Sequence, residues 1–445
     1  ADTYTNITAA ALNVTYTVVP RSAALCLGDP KVITVTINPE PVVAGNLDAT
    51  KCSDATTGLI LNTTGTSVAA ANYNVTAINV AGGLVASGSN AVVANGVAAN
   101  YLALDVFTNT GSSPLDVQYT IVPVSGVGCE GNPKVVTITI NPEPVIATTL
   151  DAAVCSDLAT GLTLNTNGVS VAAATYNVLT RTIAAGLTPA VTNAIVPANG
   201  VAANYLSNDK FTNTGSVPLT VVYSVTGVSG ATCTGDPQNI TITINPEPVL
   251  ASGLNRTVCS DSAGGIIFNT NGTSVAAANY NVTSVTIAGG LTTVSAVAIP
   301  ATGVAANYLA NDIYRNTGNS PLDVTYTVVP VSGAGCLGDP LLIKQTINPE
   351  PVLAVLDKIV CSDISIGVTL SSNGVSVAAT TFDITNIVVA GGLAPAGTNS
   401  VIPASGVASN YIFNDQFTNP GNTQLTVKYT IVPISAGSCA GDPVI

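Results

Sequence analysis

The six-residue sequence Ile-Asn-Pro-Glu-Pro-Val occurs four times in this chain of 445 residues. Successive copies lie 103 or 104 positions apart, and a nearly fixed period indicates tandem copies of one structural unit. Proline fixes φ, lacks an N–H and keeps the residue before it extended, so Pro-Glu-Pro is predicted to end one unit and begin the next. The prolines of these joints are Pro39, Pro41, Pro142, Pro144, Pro246, Pro248, Pro349 and Pro351.

The period divides the chain into five segments. Residues 41–143, 144–247 and 248–350 are predicted to be complete domains. Residues 351–445 are a fourth copy, truncated before its last strand. Residues 1–40 are the C-terminal part of a fifth copy. The sequence therefore begins and ends within a domain, and we expect it to be a segment of a longer array.

The composition excludes several classes of partner. The net charge is −13 and there is no histidine. Nucleic acids and anionic membrane surfaces attract Lys and Arg, so neither is an expected partner. The stretch from Ala55 to Leu104 is uncharged, but Asn, Thr, Ser and Gly interrupt it every few residues, so no membrane span is expected. The abundance of Val, Ile and Leu argues against disorder.

The nine cysteines form two recurring series. In the first, one residue separates the cysteine from Gly-Asp-Pro or Gly-Asn-Pro: Cys26, Cys129, Cys233, Cys336 and Cys439. In the second, Ser-Asp follows the cysteine: Cys52, Cys155, Cys259 and Cys361. Two cysteines in each repeat suggest one disulfide per domain and an oxidising, extracytoplasmic location. Zinc is disfavoured because no Cys-X-X-Cys pair and no histidine occur.

Two disulfide pairings are compatible with this spacing. Cys52 with Cys129 would close a domain on itself, whereas Cys26 with Cys52 would join one domain to the next. The predicted strand Lys31–Ile37 carries the chain more than ~20 Å away from Cys26. A disulfide requires Cα atoms within about 7 Å of each other. The pairing inside the domain is therefore predicted, which leaves Cys26 without a partner in this sequence.

The repeat 41–143 illustrates the predicted secondary structure. Leu115, Val117, Tyr119 and Ile121 alternate with polar residues, which is the pattern of a half-buried strand. The full set of predicted strands covers residues 41–44, 58–62, 72–80, 91–93, 105–108, 115–122 and 136–140, with a turn at 52–54. About seven short strands, separated by turn signals and without a convincing helix, predict an all-β fold of immunoglobulin-like sandwiches.

The second half of each repeat resembles a known family. The segments Phe107–Thr110, Val117–Pro123, Gly128–Pro133 and Ile138–Pro144 are similar to the PKD-like repeat of large surface adhesins, which gliding bacteria export by the type IX system. The first half fits less closely, although Cys52-Ser53-Asp54 matches. The resemblance implies tandem β-sandwiches, a cell-surface or extracellular location, and a role in adhesion or gliding motility, and it identifies no ligand.

Catalysis is not expected in this segment. A nucleophile paired with a base needs a histidine or a poised acid, and no Ser, Cys or Lys recurs in a nucleophile context. Exposed aromatic residues suited to carbohydrate are not predicted, because Tyr73, Tyr101 and Tyr119 lie in patterns typical of core packing. No cofactor is expected. A weak O-glycosylation signal remains at Ser262, since Asp261-Ser262-Ala263 resembles the acceptor pattern of these bacteria.

Calcium is the one metal that the sequence leaves open. Two series of acids recur, one after Cys-Ser and one before the Asn-Thr-Gly or Asn-Pro-Gly turn. These candidates are Asp54, Asp105, Asp157, Asp209, Asp261, Asp312, Asp363 and Asp415. Calcium needs six to eight oxygen ligands, and Asp is used more commonly to stabilise turns. The joint acids Glu40, Glu143, Glu247 and Glu350 are interpreted as solvated linker charges.

Three functions are compatible with the sequence. The array is the mechanical stalk of a long extracellular adhesin or filament, or the repeats assemble by themselves into a filament or surface layer, or the domains are accessory binding modules of a secreted enzyme. The first is preferred, with neighbouring repeats of the chain as the immediate partners. Other copies of the chain are further candidate partners, as are surface glycans or proteins bound through regions outside this sequence.

Overall fold

The computed structural model describes all 445 residues and consists of 28 β-strands joined by turns and loops, without a helix. Residues 1–40 form a hairpin of β1 (Leu12–Val18) and β2 (Lys31–Ile37). The first repeat, residues 41–143, contains β3 (Ala49–Cys52), β4 (Ala70–Val80), β5 (Val85–Ala86), β6 (Ala94–Val97), β7 (Phe107–Thr108), β8 (Leu115–Ser125) and β9 (Lys134–Asn141). The predicted all-β class is confirmed.

The later repeats follow the same plan. The second repeat, residues 144–247, contains β10 (Ala152–Cys155), β11 (Ala173–Ile183), β12 (Thr188–Pro189), β13 (Ala198–Val201), β14 (Phe211–Thr212), β15 (Leu219–Ser229) and β16 (Gln238–Asn245). The third, residues 248–350, contains β17 (Arg256–Cys259), β18 (Ala277–Ile287), β19 (Thr292–Ser295), β20 (Ala301–Val304), β21 (Ile313–Arg315), β22 (Leu322–Ser332) and β23 (Leu341–Asn348). The fourth, residues 351–445, contains β24 (Ala379–Val389), β25 (Ala394–Pro395), β26 (Ala404–Val407), β27 (Phe417–Thr418) and β28 (Val427–Ser435).

Each of the first three repeats is built around a five-stranded sheet. In the first repeat the strand order is β3-β9-β8-β4-β6, and β5 pairs with β7 in a separate two-stranded sheet. The pairs β9–β8, β8–β4 and β4–β6 are antiparallel, whereas β3 runs parallel to β9. The parallel strand β3 therefore ends at the same edge of the domain as the last strand β9.

The alternation in the long strands places one side chain in two in the core. Val117, Tyr119 and Ile121 of β8 and Val136, Ile138 and Ile140 of β9 are fully buried. The buried cores contain 13, 14 and 13 residues in the first three repeats and six in the fourth. The fourth core is smaller because its main sheet has only β26, β24 and β28.

Three predicted strands of the repeat are not formed as expected, and one of them is 91–93, which lies just before β6. In the segment 41–44 only Val43 makes a β-bridge, to Thr63, and the segment 58–62 buries Leu59 and Leu61 without entering a sheet. Conversely, β3 was not predicted, because its sequence Ala-Thr-Lys-Cys shows no alternation of apolar and polar residues. The backbone of β9 recruits it as a parallel edge strand.

Candidate functional site at the repeat joints

The direction of β3 determines where the Ser-Asp series of cysteines lies. Cys52 is the last residue of β3 and is the register partner of Asn141, the last residue of β9. Cys129 precedes β9, which rises by roughly 25 Å over its eight residues. Cys52 and Cys129 therefore lie at opposite ends of the domain, too far apart for a disulfide.

The disulfides instead join neighbouring repeats. Cys52 bonds to Cys233, Cys155 to Cys336 and Cys259 to Cys439, across sequence separations of 181, 181 and 180 residues. The predicted pairing inside each domain is therefore wrong. Each bond connects the outgoing end of one repeat with the loop before the last strand of the following repeat. A disulfide thus links each repeat to the next one at the joint, in addition to the main chain.

Three cysteines remain free, namely Cys26, Cys129 and Cys361. The prediction that Cys129 and Cys361 form disulfides within the sequence is therefore also wrong. A partner about 181 positions away would fall outside the sequence for each of the three. Every cysteine whose counterpart at this separation lies inside the sequence is paired.

A close backbone contact holds the cysteine loop against the joint. Gly235 lies two residues after Cys233, and a β-carbon at this position would be 1.9 Å from the carbonyl oxygen of Pro144. Gly131, Gly338 and Gly441 make the equivalent contacts, at 1.9, 1.9 and 2.0 Å, with Pro41, Pro248 and Pro351. Glycine is therefore required in the Gly-Asp-Pro motif because the backbone of the joint occupies the space of a side chain.

The joints are packed, not solvated. Glu143, Glu247 and Glu350 each retain only 3% of their accessible surface, and the prolines on either side of each are buried. The Glu143 N–H donates to the carbonyl oxygen of Asn109 at 2.9 Å. The interpretation of these glutamates as solvated linker charges is wrong, because the following repeat covers the joint.

The Cys-Ser-Asp turn presents an aspartate at each joint. Asp54 adopts a left-handed backbone with φ of 60°, which Asp and Asn tolerate better than other L-residues. The Ser53 N–H donates to the Asn141 carbonyl oxygen at 2.9 Å, and Ser53 Oγ accepts the N–H of Asn109 at 2.8 Å. Thr108 Oγ1 donates to Asp54 Oδ1. These bonds fix the Asp54 carboxylate beside Glu143.

An aspartate from the next repeat completes a cluster of three acids, which we call the carboxylate triad. In the first joint, carboxylate oxygens of Asp54, Glu143 and Asp236 all lie within 4.8 Å of one another. In the third joint, Asp261, Glu350 and Asp442 meet the same criterion. The equivalent acids of the second joint are Asp157, Glu247 and Asp339, which do not meet this distance criterion, although both aspartates raise the pKa of Glu247.

The triad perturbs the central glutamate. Burial, followed by the charges of Asp54 and Asp236, raises the pKa of Glu143 from 4.5 to about 7. Burial together with Asp157 and Asp339 likewise raises the pKa of Glu247 to about 7. Burial also raises the pKa of Glu350, and the nearby Arg315 guanidinium opposes that shift. A carboxylate buried beside two others is destabilised when ionised unless a cation compensates it.

The third joint contains such a cation. Arg315 replaces the threonine found at positions 108, 212 and 418 of the other repeats. Its Nε lies 3.0 Å from Asp261 Oδ2 and 3.7 Å from Glu350 Oε1, and its Nη2 lies 3.4 Å from Asp442 Oδ2. One guanidinium therefore contacts all three acids of this triad.

The two predicted series of calcium candidates have different environments. Asp54 and Asp261 lie in the triads, and Asp157 lies beside Glu247 in the second joint. Asp363 occupies the equivalent turn of the fourth repeat, where it accepts a hydrogen bond from Thr418. The other series is buried inside the domains. Asp105 accepts hydrogen bonds from Tyr119 Oη at 2.8 Å and from the Ala91 N–H at 2.7 Å.

The buried aspartates have the same tyrosine partner in every repeat. Tyr223, Tyr326 and Tyr429 donate to Asp209, Asp312 and Asp415 at 2.7, 3.0 and 2.7 Å. In the second repeat, Arg181 also forms an ion pair with Asp209 at 3.3 Å. These aspartates connect the core to the loop before β7 or its equivalent, and they are not part of the triads.

The remaining predicted positions lie outside the joints. Tyr73 and Tyr119 are buried in the core, and Tyr101 is half-buried in a turn. Ser262 is exposed one residue after Asp261, so glycosylation there stays a prediction.

Sequence reasoning missed two components of the triads. Asp236, Asp339 and Asp442 were seen only as parts of the Gly-Asp-Pro motif, and Arg315 was not noticed. A usable signal existed, since each aspartate follows the Ser-Asp aspartate of the preceding repeat by 181 or 182 positions. The single exchange of Thr for Arg at a repeated position was a second signal.

The fold and the joints define a class of protein: tandem immunoglobulin-like β-sandwiches that are cross-linked by disulfides between repeats. The model of the PKD-like domain matches residues 1–41, 87–144, 152–248 and 257–351, which is more than half of the chain. The chain therefore belongs to the PKD-like domain family, as the resemblance implied. Disulfide bonds and PKD-like domains are typical of an extracellular or secreted protein.

No curated protein matches the chain. Among solved structures, the EC21-23 segment of human CDH23 is similar to it with a TM-score of 0.23 and 13% identity, covering 69% of this chain and 99% of that one. The Bacteroides ovatus mixed-linkage glucan utilization locus SGBP-B gives a TM-score of 0.15 and 12% identity, covering 90% and 93%. Likenesses at these scores carry no argument about function. The chain has no helix long and apolar enough to cross a membrane.

Proposed function

We propose that this chain is a mechanical shaft of an extracellular adhesin or filament, in which the disulfides between repeats, and not the folded domains, limit extension. The observation that supports this function is the length of the shortest covalent path. From Cys52 the path crosses to Cys233 and follows the backbone to Cys259, which is a stretch of 26 residues. The main chain between the same two cysteines has 207 residues.

The length of this path is close to the length of the folded array. Strands of 8 to 11 residues make each repeat roughly 27–37 Å long. The path from Cys52 to Cys259 spans about two repeats, and 26 residues reach at most roughly 90 Å when fully extended. The unlinked chain of 207 residues would reach roughly 700 Å. Complete loss of the fold would therefore lengthen the oxidised array only slightly.

A second path interleaves with the first. The Cys155–Cys336 bond leads along the backbone to Cys361, a further 25 residues. Because the two paths start in alternate repeats, one disulfide crosses each joint between the four repeats of residues 41–445. This arrangement suits a stalk that has to keep its length under load, such as one that carries an adhesive tip. The location that we propose is the surface of gliding bacteria with type IX export, which rests on the resemblance alone.

Single-molecule force spectroscopy tests the shaft. A chain tethered at Ala1 and Ile445 has a shortest covalent path of 83 residues when oxidised, so we expect a total extension below about 300 Å. The triple variant Cys233→Ser, Cys336→Ser, Cys439→Ser should instead show successive unfolding steps of about 300–350 Å for each repeat. Steps of that size in the oxidised wild type would sink the proposal.

Electron microscopy separates the shaft from a self-assembling filament. Oxidised chains are expected as separate thin beaded threads. Thick fibres of regular repeat would show that the repeats themselves form the polymer.

A further inference from the structure

We propose that the carboxylate triad of the first joint binds one divalent cation, with calcium as the fitting ion, and that Arg315 takes the place of this ion in the third joint. The inference is independent of the mechanical function, because it concerns ion binding and not extension. It rests on three observations: the geometry of the acids, the lack of a basic group in the first joint, and the guanidinium found at the same place in the third.

The geometry suits a hard cation. The ligand atoms are all carboxylate oxygens, which is the donor type that calcium prefers, at about 2.3–2.6 Å from the ion. Three oxygens around one such ion are roughly 4 Å apart. The triad oxygens of Asp54, Glu143 and Asp236 lie within 4.8 Å of one another, so one ion can contact all three. Bidentate carboxylates and water would supply the remaining ligands.

The central glutamate has no positively charged partner. The Glu143 side chain is 97% buried, since it retains 3% of its accessible surface. No backbone N–H, amide or basic side chain donates a hydrogen bond to its carboxylate, and no ion pair involves it. The Ser53 hydroxyl, which also donates to Asp54 at 3.4 Å, partly offsets the rise in the pKa of Glu143. A buried carboxylate that faces two others and has no positive charge beside it points to a missing cation.

The third joint shows which group the triad accepts. Arg315 contacts Asp261, Glu350 and Asp442 at 3.0, 3.7 and 3.4 Å. The equivalent Thr108 and Thr212 are neutral and too short to reach the other acids, so the first two joints have three acids and no positive charge. In the preceding joint Asn132 occupies the position of the Gly-Asp-Pro aspartate, so that joint lacks this acid of the triad.

An ion at this place would connect three separate segments. Asp54 belongs to the turn after β3, Glu143 to the joint itself, and Asp236 to the cysteine loop of the next repeat. The Cys52–Cys233 disulfide already connects the first and last of these segments. The ion would therefore fix the angle between two repeats that the disulfide merely tethers.

Calcium titration of the oxidised full chain at pH 8 tests the assignment. Isothermal titration calorimetry with calcium chloride should give one site per chain, with a dissociation constant of roughly 10⁻⁴–10⁻³ M, as in extracellular modules. Arg315→Thr should add a second site. Thr108→Arg, which copies the native third joint, should remove the site of the first joint. Glu143→Gln should also remove it.

The comparison of variants makes the result decisive. Thr108→Arg and Arg315→Thr each install a residue that the same repeat position already carries elsewhere in the chain, so both are expected to fold. Mapping of the disulfides checks this. The proposal would be overturned if wild type bound no calcium up to about 10 mM, which is about ten times the upper dissociation constant. The proposal would also be overturned if Arg315→Thr bound no more calcium than wild type. Neither result would bear on the force measurements.

Discussion

Cys52 lies beside Asn141, as the last register pair of a parallel strand pair, and this neighbour decides where its disulfide forms. Asn141 is the residue from which the chain passes through Pro-Glu-Pro into the next repeat. A cysteine at that end contacts the loop of the following repeat. The Cα atoms of Cys52 and Cys233 are 5.3 Å apart there. The covalent organisation of the array follows from the direction of one four-residue strand.

Peptide mapping without reduction should find the linked pairs Cys52–Cys233, Cys155–Cys336 and Cys259–Cys439. Replacement of Cys233 by Ser removes a cross-link that closes a loop of 181 residues and should lower the free energy of unfolding by about 2–5 kcal/mol. Chemical denaturation measures this loss. The matched control is Cys129→Ser, which changes a free thiol and should have little effect. A Cys52–Cys129 peptide would contradict the structure.

The joints should weaken as the pH rises when no divalent cation is present. The pKa of Glu143 is about 7 in the folded protein against 4.5 for the ordinary group, so the folded state binds its proton more tightly. This stabilisation is complete below pH 4.5 and is lost as the pH rises through about 7. Thermal melts in chelator between pH 4.5 and 7.5 should therefore show a falling melting temperature.

The double variant Glu143→Gln, Glu247→Gln is the control for this pH dependence. Glutamine does not titrate, so the variant should lose most of the fall in melting temperature over the same range. An identical pH profile in wild type and variant would show that the joint glutamates do not titrate near neutral pH.

Gly235→Ala should disrupt the second repeat at its joint. The added β-carbon would lie 1.9 Å from the Pro144 carbonyl oxygen, and backbone cannot give way as a flexible side chain would. We expect a loss of at least about 2 kcal/mol, together with slower formation of the Cys52–Cys233 bond, because the loop that carries Cys233 must shift. Gly230→Ala, where no atom lies within 4 Å, should stay within about 0.5 kcal/mol of wild type.

The third repeat contains a pair of exchanges that predicts a double-mutant coupling. Gln345 replaces the core isoleucine of positions 138 and 242, and its side-chain amide is buried without a hydrogen-bond partner. Gly264 replaces the threonine of positions 57 and 160, and a β-carbon there would meet Gln345 Oε1 at 2.6 Å. The glycine thus makes room for the glutamine.

Restoring both residues should stabilise this repeat. The double variant Gly264→Thr, Gln345→Ile removes an unsatisfied buried amide, which should raise the free energy of unfolding by about 2 kcal/mol. Gly264→Thr alone should destabilise, because the new side chain collides with Gln345. Purely additive effects, measured by denaturation of all four members of the cycle, would contradict the packing described here.

Much of the fold could be read from local patterns. Val117, Tyr119 and Ile121 alternate with polar residues, and this period determines which face of β8 is buried, whatever the neighbouring strand. The recurring Pro-Glu-Pro segments indicated the repeat and its boundaries, because proline restricts its own backbone and that of the residue before it. The all-β class and the extracytoplasmic location followed from these patterns and from the number of cysteines.

The joints depended on the tertiary structure. The four residues of β3 have no alternating pattern, so their parallel pairing with β9, which sends Cys52 to the outgoing end, is a property of the sheet. The triad of Asp54, Glu143 and Asp236 unites residues up to 182 positions apart in two repeats, and no local signal specifies their distance. The sequence by itself determined what each repeat is; the packing of one repeat against the next determined which cysteines bond and which acids meet.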